Sequence, residues 1–193
     1  MANELHYGDR FHLLNLYNGD GGYLDVNGGA SAGGAKYQVS TAAVANRQSD
    51  SGTWEIVSGS CAATGASVKS GDIVYLRNLY QGNGGFLDAG GSPTAVQQQK
   101  GGLYDVTTAW GKDRDGNSSR WQIFDQTSTN GPFDGLVRFN DTVQLWSTYA
   151  DRGGFLEVSE ASTLTGARND VDTNAYANPG NANVTFWKIL PAT

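Results

Sequence analysis

GDRFHLLNLYNGDGGYLDV, residues 8–26, recurs without gaps as GDIVYLRNLYQGNGGFLDA at 71–89 and as NDTVQLWSTYADRGGFLEV at 140–158. Identical in all three copies are Asp9, Asp72 and Asp141; Leu13, Leu76 and Leu145; Tyr17, Tyr80 and Tyr149; the glycine pairs beginning at Gly21, Gly84 and Gly153; and Leu24, Leu87 and Leu156. Self-similarity at a fixed period marks one supersecondary unit used repeatedly. Phe11, Leu13, Asn15 and Tyr17 stand two residues apart, which is a strand period, and the glycine pair follows a turn. Each block therefore predicts a strand, a short turn and a second strand.

Working outward, YQVSTA from Tyr37, YDVTTA from Tyr104 and NDVDTN from Asn169 centre on Val39, Val106 and Val171. Their β-branched residues predict a third strand. TWEIV, RWQIF and FWKIL close the copies, with Trp54, Trp121 and Trp187 on the same face as Ile56, Ile123 and Ile189. The expectation is one domain, 1–193, with repeats near 6–66, 67–135 and 136–193. The repeated leucines, valines and tryptophans are expected in a shared core and the glycines in turns.

Composition narrows the function. The chain has 193 residues, 27 of them Gly, with five Trp, nine Tyr and one Met, which suits short strands and tight turns. A net charge of −6 repels phosphate backbones, and no basic cluster with interleaved aromatics offsets it, so no nucleic-acid partner is expected. No apolar run approaches the roughly 18 residues of a membrane span. The opening MANELHYGDRFH lacks the basic and apolar regions of a signal peptide. The expected setting is cytoplasmic, or outside the cell without a classical signal peptide, with no membrane insertion. Cys61 is alone, so no intrachain disulfide forms. The sequons at Asn117, Asn140 and Asn183 match by chance in an Asn-rich chain.

Catalytic patterns fail on context. Gly29-Ala30-Ser31-Ala32-Gly33 has the spacing of a nucleophile elbow but lies in a Gly/Ala/Ser stretch between two strands, and His6 and His12 precede it. The two histidines, expected at the surface or rim, lack the companions of a zinc site. Asp113-Arg114-Asp115-Gly116-Asn117 lacks the late glycine and terminal glutamate of a calcium loop. No enzyme activity, cofactor or metal is expected.

One repeated feature is without an evident structural need: Asp25, Asp88 and Glu157, each directly after the repeated leucine. Three units of four strands, each with a Gly-aromatic-Leu turn and a closing Trp-x-Ile, resemble the β-trefoil superfamily across nearly the whole chain. That resemblance implies an all-β fold, a β-trefoil of three four-stranded repeats with pseudo-threefold symmetry. A propeller or jelly roll suits the threefold repeat less well. Gly22-Tyr23-Leu24-Asp25-Val26 is similar to the sugar-binding segment of ricin B-type lectins, in which the aspartate accepts hydrogen bonds from sugar hydroxyls. Carried over, the resemblance implies Asp25, Asp88 and Glu157 as acceptors and Gln38, Asp105 and Asp170 as second polar contacts. Gly52, Ser119 and Thr185 stand where that family has the Gln of Gln-x-Trp, and Ser40, Thr107 and Asp172 where its stacking aromatic stands. Trp110 and Tyr176 are the replacement aromatics from the loop just beyond.

The first expectation is thus a carbohydrate-binding lectin with up to three shallow sites for glycans or glycoproteins, as a monomer or homo-oligomer. The turn is equally similar to fascin-like trefoil modules. The alternative is a protein-interaction module, binding actin or inhibiting a protease, for which the unrepeated segment 124–140, with Pro132 and Phe133, is the distinguishing feature.

Overall fold

The computed structural model describes residues 3–127 and 134–192; Pro132 and Phe133 of the unrepeated segment lie outside the described residues. The first copy contributes β1 (Arg10–Asn15), β2 (Gly22–Gly29), β3 (Ala35–Ala42) and β4 (Trp54–Ser58). The second contributes β5 (Ile73–Asn78), β6 (Gly85–Ala89), β7 (Gly102–Ala109) and β8 (Trp121–Thr127), with a short helix α1 (Ala95–Gln99) between β6 and β7. The third contributes β9 (Thr142–Ser147), β10 (Phe155–Ala161), β11 (Asn169–Asn174) and β12 (Trp187–Pro191). All four strand types fall where the alternation predicts them. The helix was not expected. It is held by a capping box in which Thr94 and Gln97 bond each other's backbone N–H.

The expected β-trefoil of three four-stranded repeats is corrected by the strand pairing. The strands do not divide into three four-stranded units but form one twelve-stranded antiparallel sheet closed on itself. β4 meets β1 of its own copy only at Arg10 and Phe11, yet pairs β5 of the next copy along Trp54–Ser58. β8 likewise runs along β9, and β12 along β1. The longest closing-strand ladders therefore cross copy boundaries. A closed sheet leaves no hydrogen-bonding edge, whereas a four-stranded unit would leave two.

At one end the third strands meet. β3 pairs β7 at Gln38↔Thr107, β7 pairs β11 at Asp105↔Asp172, and β11 pairs β3 at Asp170↔Ser40. This triangle matters below, because it draws three repeat-related positions together.

The interior is filled by side chains. Leu13, Leu76 and Leu145 pack with Ile56, Ile123 and Ile189, and the residual void among them and Phe11 is about 10 Å³. That is room for about one water at most, so there is no lumen. Each closing tryptophan is fully buried and donates its indole N–H to the carbonyl of the repeated leucine: Trp54 to Leu24 at 2.9 Å, Trp121 to Leu87 at 3.0 Å and Trp187 to Leu156 at 2.9 Å. The repeated Asp9, Asp72 and Asp141 have a local task. Their carboxylates accept from the backbone N–H of His6, Lys69 and Arg138, each three residues earlier.

The turn after the first strand is tied to the strand itself. Asn15 Oδ1 accepts from Tyr17 N and Asn78 Oδ1 from Tyr80 N, both at 2.9 Å. The glycine pair follows from that bond. A Cβ on Gly84 would lie 2.0 Å from Asn78 Oδ1, and Gly85, at φ +91°, would place one 2.5 Å from Ala109 O.

Trp121→Phe keeps most of the buried ring but leaves Leu87 O without its donor. The expected cost is about 1–3 kcal/mol for the unpaired carbonyl, measured by urea unfolding at constant m-value.

Candidate functional site

The repeated acids are enclosed. Asp25 and Asp88 are fully buried and Glu157 is 4% exposed. Strand alternation turns them away from the barrel core, but in the first two copies the loop between the third and fourth strands folds over the acid. In the first copy Arg47 donates from Nε and Nη2 to Asp25 Oδ1 at 3.2 and 3.1 Å, and Ser51 donates its hydroxyl to Oδ2. The second copy repeats this clamp. Arg114 donates from Nε and Nη2 to Asp88 Oδ1 at 2.9 and 2.7 Å, while Ser118 and Ser119 donate to Oδ2 at 2.6 and 2.8 Å. Burial raises the Asp25 carboxyl above its usual range, and the bonds from Ser51 and Arg47 draw it partly back.

The clamp has a sequence signal. Arg47 and Arg114 each follow the central valine of the third strand by eight residues, and Ser51 and Ser118 each precede the closing tryptophan by three. In the third copy those positions hold Pro179 and Val184. Gly180 replaces Gln48 and Asp115, which accept hydrogen bonds from Tyr80 and Tyr149. The arginine and the serine three residues before the tryptophan are thus both lost from the third copy, and Thr185, at the place of Ser119, turns its hydroxyl to Ala177 O and Gln144 instead of to the acid.

A pocket of about 390 Å³ opens at that place, bounded by Glu157, Asn174, Lys100, Tyr17, Pro179 and Val184 among others. Asn174, standing where the other copies have Ala42 and Ala109, donates Nδ2 to Glu157 Oε1 at 2.7 Å. Tyr17 enters from the first copy because Asn15 Nδ2 bonds Val184 O at 2.8 Å. Gln97 of α1 bonds Ser159 at 2.9 Å and forms part of the wall.

Beneath the pocket Glu157 faces Asp172 across the β10–β11 ladder. Two carboxylates have no donor between them, so their contact becomes a hydrogen bond only when one holds a proton. Burial, then the Glu157 charge, raises Asp172 to about 9, and burial raises Glu157 as well. Ser40 and Thr107, at the positions equivalent to Asp172, are buried and their hydroxyls have no hydrogen-bond partner among the described residues.

The other expected contacts divide. Gln38, Asp105 and Asp170 do not join Asp25, Asp88 and Glu157 in three separate sites; all three line one shared pocket at the β3–β7–β11 triangle. Trp110 and Tyr176 are each 63% exposed. Lys36 Nζ stands 4.0 Å from the centre of a Trp110 ring, a cation–π contact. Tyr176 borders a groove of about 470 Å³ with Tyr104 and Arg152, beside the Glu157 pocket rather than in it. His12 departs from its expected rim position: it is buried, with Nδ1 2.8 Å from Gly52 O. Among the described residues no group of three or more His, Cys, Asp or Glu side chains could hold a metal, and no helix is long and apolar enough to cross a membrane.

These features define a trefoil-like all-β module in which two of three repeat-related loops are shut over a buried acid and one is open. Solved structures share the fold. An SDF2-like protein from Arabidopsis thaliana superposes with a TM-score of 0.68 at 15% identity, over 96% of this chain and 94% of that one. A Caenorhabditis elegans protein of unknown function gives 0.71 at 17% identity, over 98% and 97%. The S. cerevisiae protein O-mannosyltransferase Pmt1–Pmt2 complex, solved with its sugar donor, gives 0.72 at 16% identity, over 97% of this chain but 25% of that one. No family model matches the chain, and no curated protein matches it in sequence. None of these likenesses supports the ricin B-type resemblance.

Arg114→Met should destabilise the fold by about 3–5 kcal/mol, because it leaves the Asp88 carboxylate buried without its cation. Asp88→Asn in that background should recover part of the loss, as read by chemical denaturation. Asp172 generates a pH effect of defined sign. Its carboxyl titrates higher folded than unfolded, so its stabilising contribution is full below about pH 4 and declines as pH rises toward about 9. Asp172→Asn keeps a donor toward Glu157 and removes that decline, so the variant should gain on the wild type steadily between pH 5 and pH 8 (about the span of the shift) in parallel urea titrations.

Proposed function

We propose that the chain is a non-catalytic carbohydrate-binding module whose sugar site is the open pocket of the third copy, with Glu157 as the hydroxyl acceptor. The observation that carries this proposal is the loss of the clamp. Where Arg47 and Arg114 occupy the space above the acid, the third copy has Pro179 and a pocket of about 390 Å³, which lies within the usual range for small-molecule sites.

The chemistry around the pocket suits a sugar. Glu157 offers an acceptor, held in place by the Asn174 amide whose hydrogens go to Glu157 and Lys100 O, and the Lys100 ammonium adds a donor at the rim. Tyr17 and the apolar Pro179 and Val184 provide surface for the C–H face of a pyranose ring. Asp25 and Asp88 have no room for a ligand while their arginines are in place. The lectin expectation is accordingly narrowed from up to three sites to one. The yeast mannosyltransferase complex with its bound sugar donor shows the same fold inside a sugar-handling protein, which agrees with this assignment without specifying it.

On a glycan array the wild type should give a restricted set of positive sugars. Calorimetry with the best of them should show Glu157→Gln weakening binding by about tenfold or more, since a charged acceptor contributes roughly 1.5–3 kcal/mol. Asp25→Asn should lower stability and leave affinity unchanged. A protein inert on the array, or one that binds equally well with Gln at 157, rules out this site; cosedimentation with actin would then favour the protein-interaction alternative.

A further inference from the structure

The pocket at the β3–β7–β11 triangle differs in chemistry from the one over Glu157. Its volume is about 240 Å³, and it is lined by Gln38, Asp105, Thr107 and Asp170, with Pro93 and Leu164 among its walls. The three strands that supply the polar residues are hydrogen-bonded to one another, so residues some 65 positions apart in the chain converge on one opening. No Lys, Arg or His lines it. Neither Asp105 nor Asp170 has an ion-pair partner among the described residues, whereas Asp25 and Asp88 each have an arginine.

A second feature points the same way. Thr107 stands two residues after Asp105 on the same strand face, is 5% exposed, and has a hydroxyl oxygen without a hydrogen-bond partner among the described residues. An unpartnered polar atom in a buried position is uncommon, and one lining a pocket with two uncompensated carboxylates calls for a donor. The donor must be small, because the volume falls below the roughly 300–1,000 Å³ of pockets that hold whole drug-sized molecules. It must also carry positive charge to relieve the repulsion between the two aspartates.

We propose that this pocket binds the terminal ammonium group of an alkylamine, held between Asp105 and Asp170 with its methylene stem against Pro93 and Leu164. Three N–H donors match the two carboxylates and the amide or hydroxyl oxygen, and an aliphatic stem is the natural companion of apolar walls. A lysine side chain of a partner protein and a free polyamine share this chemistry. Binding depends on pH through Asp105. Loss of hydration, with the Asp170 charge adding to it and the Val106 N–H opposing it, raises its carboxyl to about 6. The charged groups facing Asp105 are Asp170 and, through the β7–β11 ladder, Asp172, both from β11; β3 and the segments holding Pro93 and Leu164 present neutral residues.

The test is a calorimetric and NMR titration of the whole chain with spermidine and with a lysine-containing peptide, each at pH 7.5 and pH 5 (either side of about 6). The peptide with its lysine Nε acetylated is the neutral control. Both amines are expected to bind saturably at the higher pH and more weakly at the lower, and the acetylated peptide not to bind. Asp105→Asn combined with Asp170→Asn should weaken binding about tenfold or more, as loss of charge-assisted bonds does. Because the double variant removes like charges, its melting temperature should equal or exceed that of the wild type; Asp170→Asn alone serves if it does not. Tighter binding of the peptide assigns the pocket to a protein partner, and tighter binding of spermidine to a free polyamine. Absence of saturable ammonium binding, equal binding of the acetylated peptide, or indifference to the substitutions in a folded variant overturns the proposal.

Discussion

A carboxylate enclosed by protein must find donors or take up a proton, and much of the architecture outside the core follows from how that constraint is met three times. In the first two copies a two-pronged arginine and one or two serine hydroxyls satisfy the acid, at the cost of filling the space above it. In the third, Asn174 donates to the acid from the side, burial favours the protonated form of the Asp172 carboxyl beneath it, and the space above stays open. The lateral solution demands one methylene more of reach, which Glu157 supplies where aspartate stands in the other copies.

The framework was legible because it obeys simple periods. Leu13, Leu76 and Leu145 alternate with outward residues, the tryptophans recur every 66 or 67 positions, and each of the twelve strands covers a predicted stretch. What periodicity does not encode is which strand pairs with which. A hairpin prediction joins neighbours within a copy, whereas β4, β8 and β12 make their longest ladders across copy boundaries, and the three-unit picture failed at that point. Pairing between copies is a long-range choice, settled by barrel closure rather than by local propensity.

The site was legible in part. The acid after the repeated leucine stands out in the sequence because it recurs, but alternation alone assigns it to the outside. Alternation reports the side of a strand, not whether a loop covers that side. The cover was written in Arg47 and Arg114, eight residues beyond the central valine in two copies and absent from the third. Gln38, Asp105 and Asp170 show the complementary failure. Read copy by copy they belong to three sites, yet their strands share hydrogen bonds, so they gather at one pocket.

Functional capacity in a repeat-built barrel is therefore read from the departures from repetition. An identical residue in all three copies, such as the tryptophan bonded to the leucine carbonyl, answers a demand that every copy shares and so reports on stability. A residue lost from one copy alone removes a stabilising contact there, and the fold can tolerate this because two copies keep their clamps and the closed sheet binds all three together. Stability held in reserve by two copies is what permits the third to leave an acid beside an open pocket. The same reasoning separates the two pockets: the one over Glu157 exists because symmetry is broken, whereas the one between Asp105 and Asp170 lies where the three copies meet, and its charge arises because the first copy contributes the neutral Gln38 and the other two contribute aspartate.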